Sequence, residues 1–570
     1  MSLEPDLTLA RELHEGLNSF VCNVLQHAQG SNDVAETLTE IATLAHHVLA
    51  DTASRQNSSN FVYALPAEVL CHILRFLFLE DLTNASCTCR YFRQLALAEP
   101  SLWTHIYLWG RHGKFRRGIF GAEPYGPAHS WPFDDYLEVL LTRARSAPVR
   151  LIVRDLTNTF IIPLAYAIRK HAFHLRAVVI SFAHTQLMKA EDLPDFARRY
   201  AETSNWGSQI VSYPDIVIAA ALCEPAPLLT ELNLSRTSSY GSHLPKQLFA
   251  ACPVLSDIDL TGFDIPDIDR PIHSVTKLRL VRAAGHDPRG MSTADLFRKF
   301  PNLRDLEMHA VARQFPLPDM AETDSLQRLY IVPVDENYQF KNVRPLAPTR
   351  IADITIRFPA FSIVRPFIES AGTIHAVELD DYGYYGQIDL TVHGRRADES
   401  ATRRSFLVLN GKELDRTFKG WHTAAFQSVR TVVLSDGVHW PLAFIILSLM
   451  PALEELTIVV GVADKHNKAL DNGVLMMDAD DGDIYKLPLL ELPALRLLRC
   501  KAGTPRLHMG EKRTHNARVS FLHDLISTKF ASHDFRLVLD GLTLLDGDDE
   551  GALDRLRATV GELEIVLPAA

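Results

Sequence analysis

One short pattern constrains the fold of this 570-residue chain more than any other: an apolar residue, two variable positions, a second apolar residue, one variable position and a third. It stands at Leu175-Val178-Ile180, Leu229-Leu232-Leu234, Leu255-Ile258-Leu260, Val275-Leu278-Leu280, Leu303-Leu306-Met308 and Leu326-Leu329-Ile331. It continues at Ile351-Ile354-Ile356, Ile374-Val377-Leu379, Val429-Val432-Leu434, Leu453-Leu456-Ile458, Leu495-Leu498-Cys500 and Val560-Leu563-Ile565. The alternation in the last two positions predicts a strand with one buried face. In several units a helical apolar segment ends in proline just before the strand, as in LFAACPVL (248–255), LFRKFPNL (296–303) and FIILSLMPAL (444–453). Proline cannot continue a helix, so each one sets a helix-to-strand corner. Helix, corner, strand and return loop, repeated, stack into a solenoid with a parallel sheet on its inner face.

Where consecutive units are clear, their first positions lie 20 to 28 residues apart. That is close to the 20–29 residue period of leucine-rich repeats. The period breaks after Ile374, where IDLTVHG (388–394) and SFLVLNG (405–411) read as an inserted antiparallel pair, and again after Leu453 at an acidic loop. The alternative is a generic α/β domain whose strands merely look alike.

Residues interleaved with the apolar positions face the other side of each strand. They are Glu231 and Asn233, Asp257 and Asp259, Lys277 and Arg279, Asp305 and Glu307, and Arg328 and Tyr330. Two readings stay open. These groups form a concave target-binding face, or they neutralise one another as a cross-strand ladder in which Lys277 and Arg279 bridge acids on both sides.

Residues 65 to 106 carry a second signal. Leu65-Pro66 opens a helix whose apolar positions Val69, Leu70, Ile73, Leu74 and Leu77 fall at three- and four-residue intervals. Two short helices follow, from Asp81-Leu82 and around Cys89-Arg90, and Pro100, Leu102 and Trp103 close the unit. Three helices in roughly 40 residues bury too little apolar surface to stand alone, which leaves one side for another protein. The ordered string Leu65-Pro66, Glu68-Val69-Leu70, Ile73-Leu74, Phe76-Leu77, Asp81-Leu82, Ser86, Cys89-Arg90, Leu95-Ala96 and Leu102-Trp103 resembles the F-box. Phe92 stands where that family usually has tryptophan, and Phe78-Leu79 are apolar where it is usually polar. The resemblance implies docking on the Skp-type adaptor of a cullin–RING (SCF) ubiquitin ligase through Leu65, Pro66, Leu70, Ile73, Leu74, Leu77 and Leu82. Trp103 is expected to anchor the unit's own core.

Ahead of this unit, residues 6–28 and 33–50 show helical apolar spacing around a turn at Gly30-Ser31-Asn32, followed by a polar linker. After it come a loop rich in Gly, Pro and basic residues (110–132) and a helix around Tyr136–Leu141. The Arg143–Pro148 turn into the first strand resembles fungal F-box proteins of the basidiomycete type. The expected domains are a helical pair and linker (1–60), an F-box (61–108), a linker and helix (109–147), and a solenoid (148–570) with an insertion near 383–415. The fold class is α/β: an N-terminal all-α F-box unit followed by an irregular leucine-rich-repeat solenoid with a parallel β-sheet.

A net charge of −11 argues against nucleic acid as the main partner. The longest apolar run, Pro441 to Met450, is far short of the ~20 residues that cross a bilayer, so no membrane role is expected. Seven irregularly spaced cysteines read as reduced thiols of a cytoplasmic or nuclear protein. No phosphate loop, nucleophile elbow or HExxH string is present, Cys87 and Cys89 lack the further ligands zinc needs, and Asp478–Asp483 departs from a calcium loop. His171 and His174 share a helix face without a third ligand. Neither an enzyme nor a cofactor or metal is expected. The expected function is a ligase adaptor whose solenoid holds a target protein. The alternative is an interaction scaffold that never joins a ligase.

Overall fold

The computed structural model describes residues 65–109, 133–182, 188–189, 193–203, 211–212, 214–236, 242–266, 268, 270–281, 293–311, 325–333, 351–357, 364, 367–381, 387–410, 425–435, 440–460, 489–502, 516–545 and 551–566, with 15, 19, 22–23, 39, 42–44, 46–48 and 51–52. Most of the expected N-terminal helical pair, the 110–132 loop and the acidic loop at 478–483 lie outside the described residues. The chain divides into two compact units, Met1–Leu102 with Arg117–Ala122, and Trp103–Arg116 with Glu123–Ala570.

The first unit contains α1 (Ala67–Leu74), α2 (Leu79–Thr88) and α3 (Arg90–Ala98). Pro66 precedes α1 at φ −55°, and its carbonyl accepts from Val69 and Leu70 N–H, so the ring begins the helix without removing a needed donor. Extended backbone at Phe78 and Cys89 separates the helices, and the Cys89 Sγ accepts from Phe92 N–H at 3.4 Å as the cap of α3. Both α1 and α2 pack on α3. Leu70, Leu74, Leu82, Ala96 and Leu102 are buried.

The second unit is built on a 17-stranded sheet. Its first nine strands are β1 (His105–Trp109), β2 (Val149–Leu156), β3 (Leu175–Phe182), β4 (Glu231–Arg236), β5 (Asp257–Thr261), β6 (Lys277–Val281), β7 (Asp305–Val311), β8 (Arg328–Pro333) and β9 (Asp353–Arg357). The rest are β10 (Thr373–Asp381), β11 (Gln387–Arg395), β12 (Ala401–Asn410), β13 (Thr431–Ser435), β14 (Glu455–Val460), β15 (Leu497–Ala502), β16 (Arg536–Asp540) and β17 (Glu562–Val566). From β1 to β9 each strand pairs in parallel with the next in sequence. The same holds from β13 to β17. The apolar positions stack in register, Leu232 beside Ile258, then Leu278, Leu306, Leu329 and Ile354. In the first eleven triplets no member is more than 6% exposed, so the sequence pattern marks one continuous buried face. Leu563 and Ile565, on β17 at the sheet's edge, are half-buried.

Helices return the chain between strands, including α4 (Phe133–Ala144), α5 (Asn158–His171), α6 (Asp195–Thr203), α7 (Pro214–Ala221), α8 (Lys246–Ala251), α9 (Thr293–Lys299) and α10 (Trp440–Ser448). Pro253, Pro301 and Pro451 follow α8, α9 and α10 at the turn into the next strand. Near the C-terminus lie α11 (Val519–Lys529) and α12 (Ala552–Thr559).

One sequence expectation needs correction. Ile374-Val377-Leu379 was expected to follow Ile351-Ile354-Ile356 as the next parallel unit, with an antiparallel pair inserted after it. In the structure β9 pairs in parallel with β12, β12 is antiparallel to β11, β11 is antiparallel to β10, and β10 leads in parallel to β13. The insertion is a three-strand meander laid backwards into the sheet, so the sheet is mostly rather than wholly parallel. Trp103 stands at the boundary, as the first residue of the second unit. It is fully buried, with the Arg143 guanidinium of α4 stacked 4.6 Å from its ring. Ile106 and Leu108 sit in β1 as buried partners of β2.

Candidate functional site

Helix α1 is apolar on more than one side, and only packing decides which side is core. Leu70 and Leu74, four residues apart, are 3% and 6% exposed, and Leu82 of α2 is 2% exposed. These three expected docking residues are buried within the chain, in the bundle where α1 and α2 pack on α3. The offset pair Val69 and Ile73 faces outward at 42% and 48%. Leu77 continues it at 37%, Pro66 is exposed, and Leu65 is half-buried. The chain between α1 and α2 adds Phe76 at 76% and Phe78 at 53% exposure, with the His72 ring edge-on to Phe76 at 5.2 Å. Sequence reading missed Val69, Phe76 and Phe78 as surface groups. The departure of Phe78 from the family pattern was the available signal.

Polar contacts hold the end of this unit. Arg75 donates to Ser101 Oγ at 2.8 Å and lies 3.7 Å from Glu99, whose carboxylate accepts from Ser101 N–H at 3.2 Å. The hydrogen bond from Ser101 holds the Glu99 carboxyl below its usual range. Ser86 is buried but satisfied, donating to Thr83 carbonyl at 2.7 Å. An exposed aliphatic and aromatic patch on a satisfied helical frame is chemistry for docking a protein surface.

The second candidate is the sheet face opposite the buried triplets. There Lys277 donates to Asp257 at 2.8 Å, and Arg279 bridges Asp259 at 3.1 Å and Glu307 at 2.8 Å. Asn233 donates to Asp259 at 2.9 Å, and Arg328 grips Asp305 with two hydrogen bonds of 2.5 Å. Glu231 accepts from Arg150 of β2 at 2.8 Å. Tyr330 lies beside His309, with ring centroids 5.5 Å apart, and His309 donates to Glu307 at 2.5 Å. All ten expected residues therefore share one face, and the charged ones pair across strands as a ladder. Arg150 and His309 complete it and escaped sequence reading. The hydrogen bond to Asp257 raises the Lys277 pKa. Partial burial pushes the Glu307 carboxyl up, but hydrogen bonds from His309 and Arg279 prevail and hold it low.

Among the described residues no group of three or more His, Cys, Asp or Glu side chains is arranged to hold a metal, and no helix is long and apolar enough to cross a membrane. Among the described residues no cysteine forms a disulfide. Burial pushes the Cys252 and Cys500 thiols up to about 12, as expected of packing groups.

Residues 62–109 match the family model described as F-box-like. No curated protein matches the chain.

Proposed function

We propose that this protein is a substrate-recognition adaptor of an SCF-type ubiquitin ligase, without catalytic activity of its own. The F-box-like segment binds a Skp-type adaptor and, through it, a cullin–RING ligase. The sheet unit, taken as an irregular leucine-rich-repeat solenoid, binds a target protein in the cytoplasm or nucleus. The observation that carries this reading is the exposed row Val69, Ile73, Phe76 and Leu77 on a helical unit whose own core is complete without it. Those side chains are 37–76% exposed where they stand, so covering them with a partner gains apolar burial at little cost to the unit.

The test is capture of purified Skp-type adaptor by the full chain and by Ile73→Asp, Phe76→Asp and the Leu65→Ala, Pro66→Ala pair. Loss of capture by the Asp variants, with unchanged melting, supports docking there. Equal capture by all variants removes the assignment. Adaptor binding without recruitment of cullin favours the scaffold reading instead.

A further inference from the structure

On the laddered face, one row of side chains runs across neighbouring strands as Tyr107, Ile152, Val179, Asn233 and Asp259. Its polar members belong to the ladder. Its first three are apolar: Tyr107 is 40% exposed, Ile152 is half-buried, and Val179 is buried beside them. Strand β2 carries Arg154 two residues beyond Ile152, hence on the same face. The Arg154 side chain is exposed and makes no hydrogen bond or ion pair among the described residues. The ladder cations are different, since Arg150, Lys277, Arg279 and Arg328 each hold a carboxylate.

The backbone at this point is also unusual. Asp155 adopts φ 51°, pairing of β2 with β3 shifts register between Val153 and Leu156, and Asp155 N–H donates to Ser181 Oγ at 3.0 Å. Such bulges end regular pairing and re-aim the neighbouring side chain. A partly exposed apolar pair, Tyr107 and Ile152, with an uncommitted guanidinium beside it is therefore built into the β1–β3 end of the face.

Resting on the reading that the sheet face holds the target, we propose that the target is read here as an extended segment. It sets an aliphatic or aromatic side chain on Tyr107 and Ile152 and, two residues further on, a carboxylate on Arg154. Same-face residues of an extended chain lie about 6.6–6.8 Å apart, which is the Ile152 to Arg154 step. The charge selects the partner. A basic segment meets Arg154 as a like charge, and a segment docking on the ladder must first break an ion pair that is already made.

The experiment selects random nonapeptides on the full-length wild type, on Arg154→Glu and on Arg279→Glu, with Skp-type adaptor capture measured on each protein. Wild type is expected to enrich peptides with an apolar residue followed two positions later by Asp or Glu. Arg154→Glu is expected to weaken such a peptide by about tenfold or more and to shift selection toward Lys or Arg at that position. Enrichment that ignores Arg154→Glu, enrichment of basic peptides by the wild type, or no enrichment overturns the inference. Peptides lost with Arg279→Glu alone place the target on the ladder, which overturns this site while leaving target binding by the sheet intact. Adaptor capture reports separately on the helical unit.

Discussion

Arg404 of β12 stands directly opposite Ile354 of β9, at a position the neighbouring repeat strands fill with leucine or isoleucine. Its side chain is fully buried. The guanidinium donates to the carbonyls of Ala352 at 3.1 Å and Arg403 at 2.9 Å, and more distantly to Ser370 Oγ at 3.4 Å. Burial, with Arg396 nearby, pulls its pKa down to about 10. The meander thus fills a repeat slot with a charged side chain whose hydrogen bonds go mainly to backbone carbonyls.

Arg404→Met is expected to cost less than Arg404→Ala, because it keeps most of the volume and sheds the desolvation penalty while losing only the hydrogen bonds to the carbonyls. Arg404→Ala is expected to cost about 2–5 kcal/mol through the cavity and the carbonyls it strands. Amide hydrogen exchange across β9 and β12 measures both. A Met variant as damaged as the Ala variant means the guanidinium itself organises the meander.

Neighbouring positions on α1 are expected to separate docking from folding. Leu74→Ala should cost about 2–4 kcal/mol, since Leu74 is core, while Ile73→Asp should change stability by no more than about 0.5 kcal/mol. Adaptor capture should respond in the opposite order, failing for Ile73→Asp and persisting for Leu74→Ala below its melting temperature. Paired melting and capture measurements check this.

Trp103→Ala is expected to cost about 3–5 kcal/mol, and the loss should register in the second unit, where Trp103 lies. Arg143→Ala, which removes the guanidinium over the ring, should cost about 0.5–1 kcal/mol. Exchange protection of β1, β2 and α4 is the readout. Loss confined to α1–α3 would return Trp103 to the helical unit.

Stability is expected to fall on the acid side because of His171 and His174, whose rings lie 5.2 Å apart in the interior. Burial lowers both pKa values. The carboxylate of Glu138 opposes the shift at His171, and His171 adds to it at His174. The unfolded chain therefore takes up protons at these sites near pH ~6.5 while the folded chain resists. Their penalty is absent above that pH and grows as the pH drops below it. Glu138 stays ionised through this window, because hydrogen bonds from Lys170 and His171 outweigh its burial and hold its carboxyl low. Denaturant midpoints at pH 7.5 and 5.5 should differ less for His174→Phe than for wild type. An unchanged difference rules out His174 as a source.

Gly394→Ala is expected to damage the meander, since a Cβ there sits 2.3 Å from the Ala371 carbonyl oxygen, a backbone atom that cannot swing away. A cost of about 2–4 kcal/mol is expected. At Gly561 the nearest atom is the Asp534 carboxylate at 3.1 Å, a side chain free to yield, so Gly561→Ala should be mild. Thermal melting of the two variants decides.

The twelve triplets were legible because burial of one strand face imposes a period of two, and that period survives in the residues whatever the neighbours are. The same signal misplaced Ile374-Val377-Leu379. It records that a strand is half-buried, and β10 is, but it carries no information on which strand lies alongside. Arg404 was invisible for a related reason, since nothing in the string RRSF separates a buried arginine from a solvated one. On α1 the helical spacing by itself does not say which side is buried, because Leu70 with Leu74 and Val69 with Ile73 satisfy the same interval.

Local periodicity and the ordered motif at 65–106 were thus enough to determine the element types, the buried strand face and the F-box-like resemblance. Only the tertiary structure decided the backward meander, the outward side of α1, the unit to which Trp103 belongs and the pairing of the charged face. Those outcomes depend on contacts between residues far apart in sequence, which local periodicity does not record.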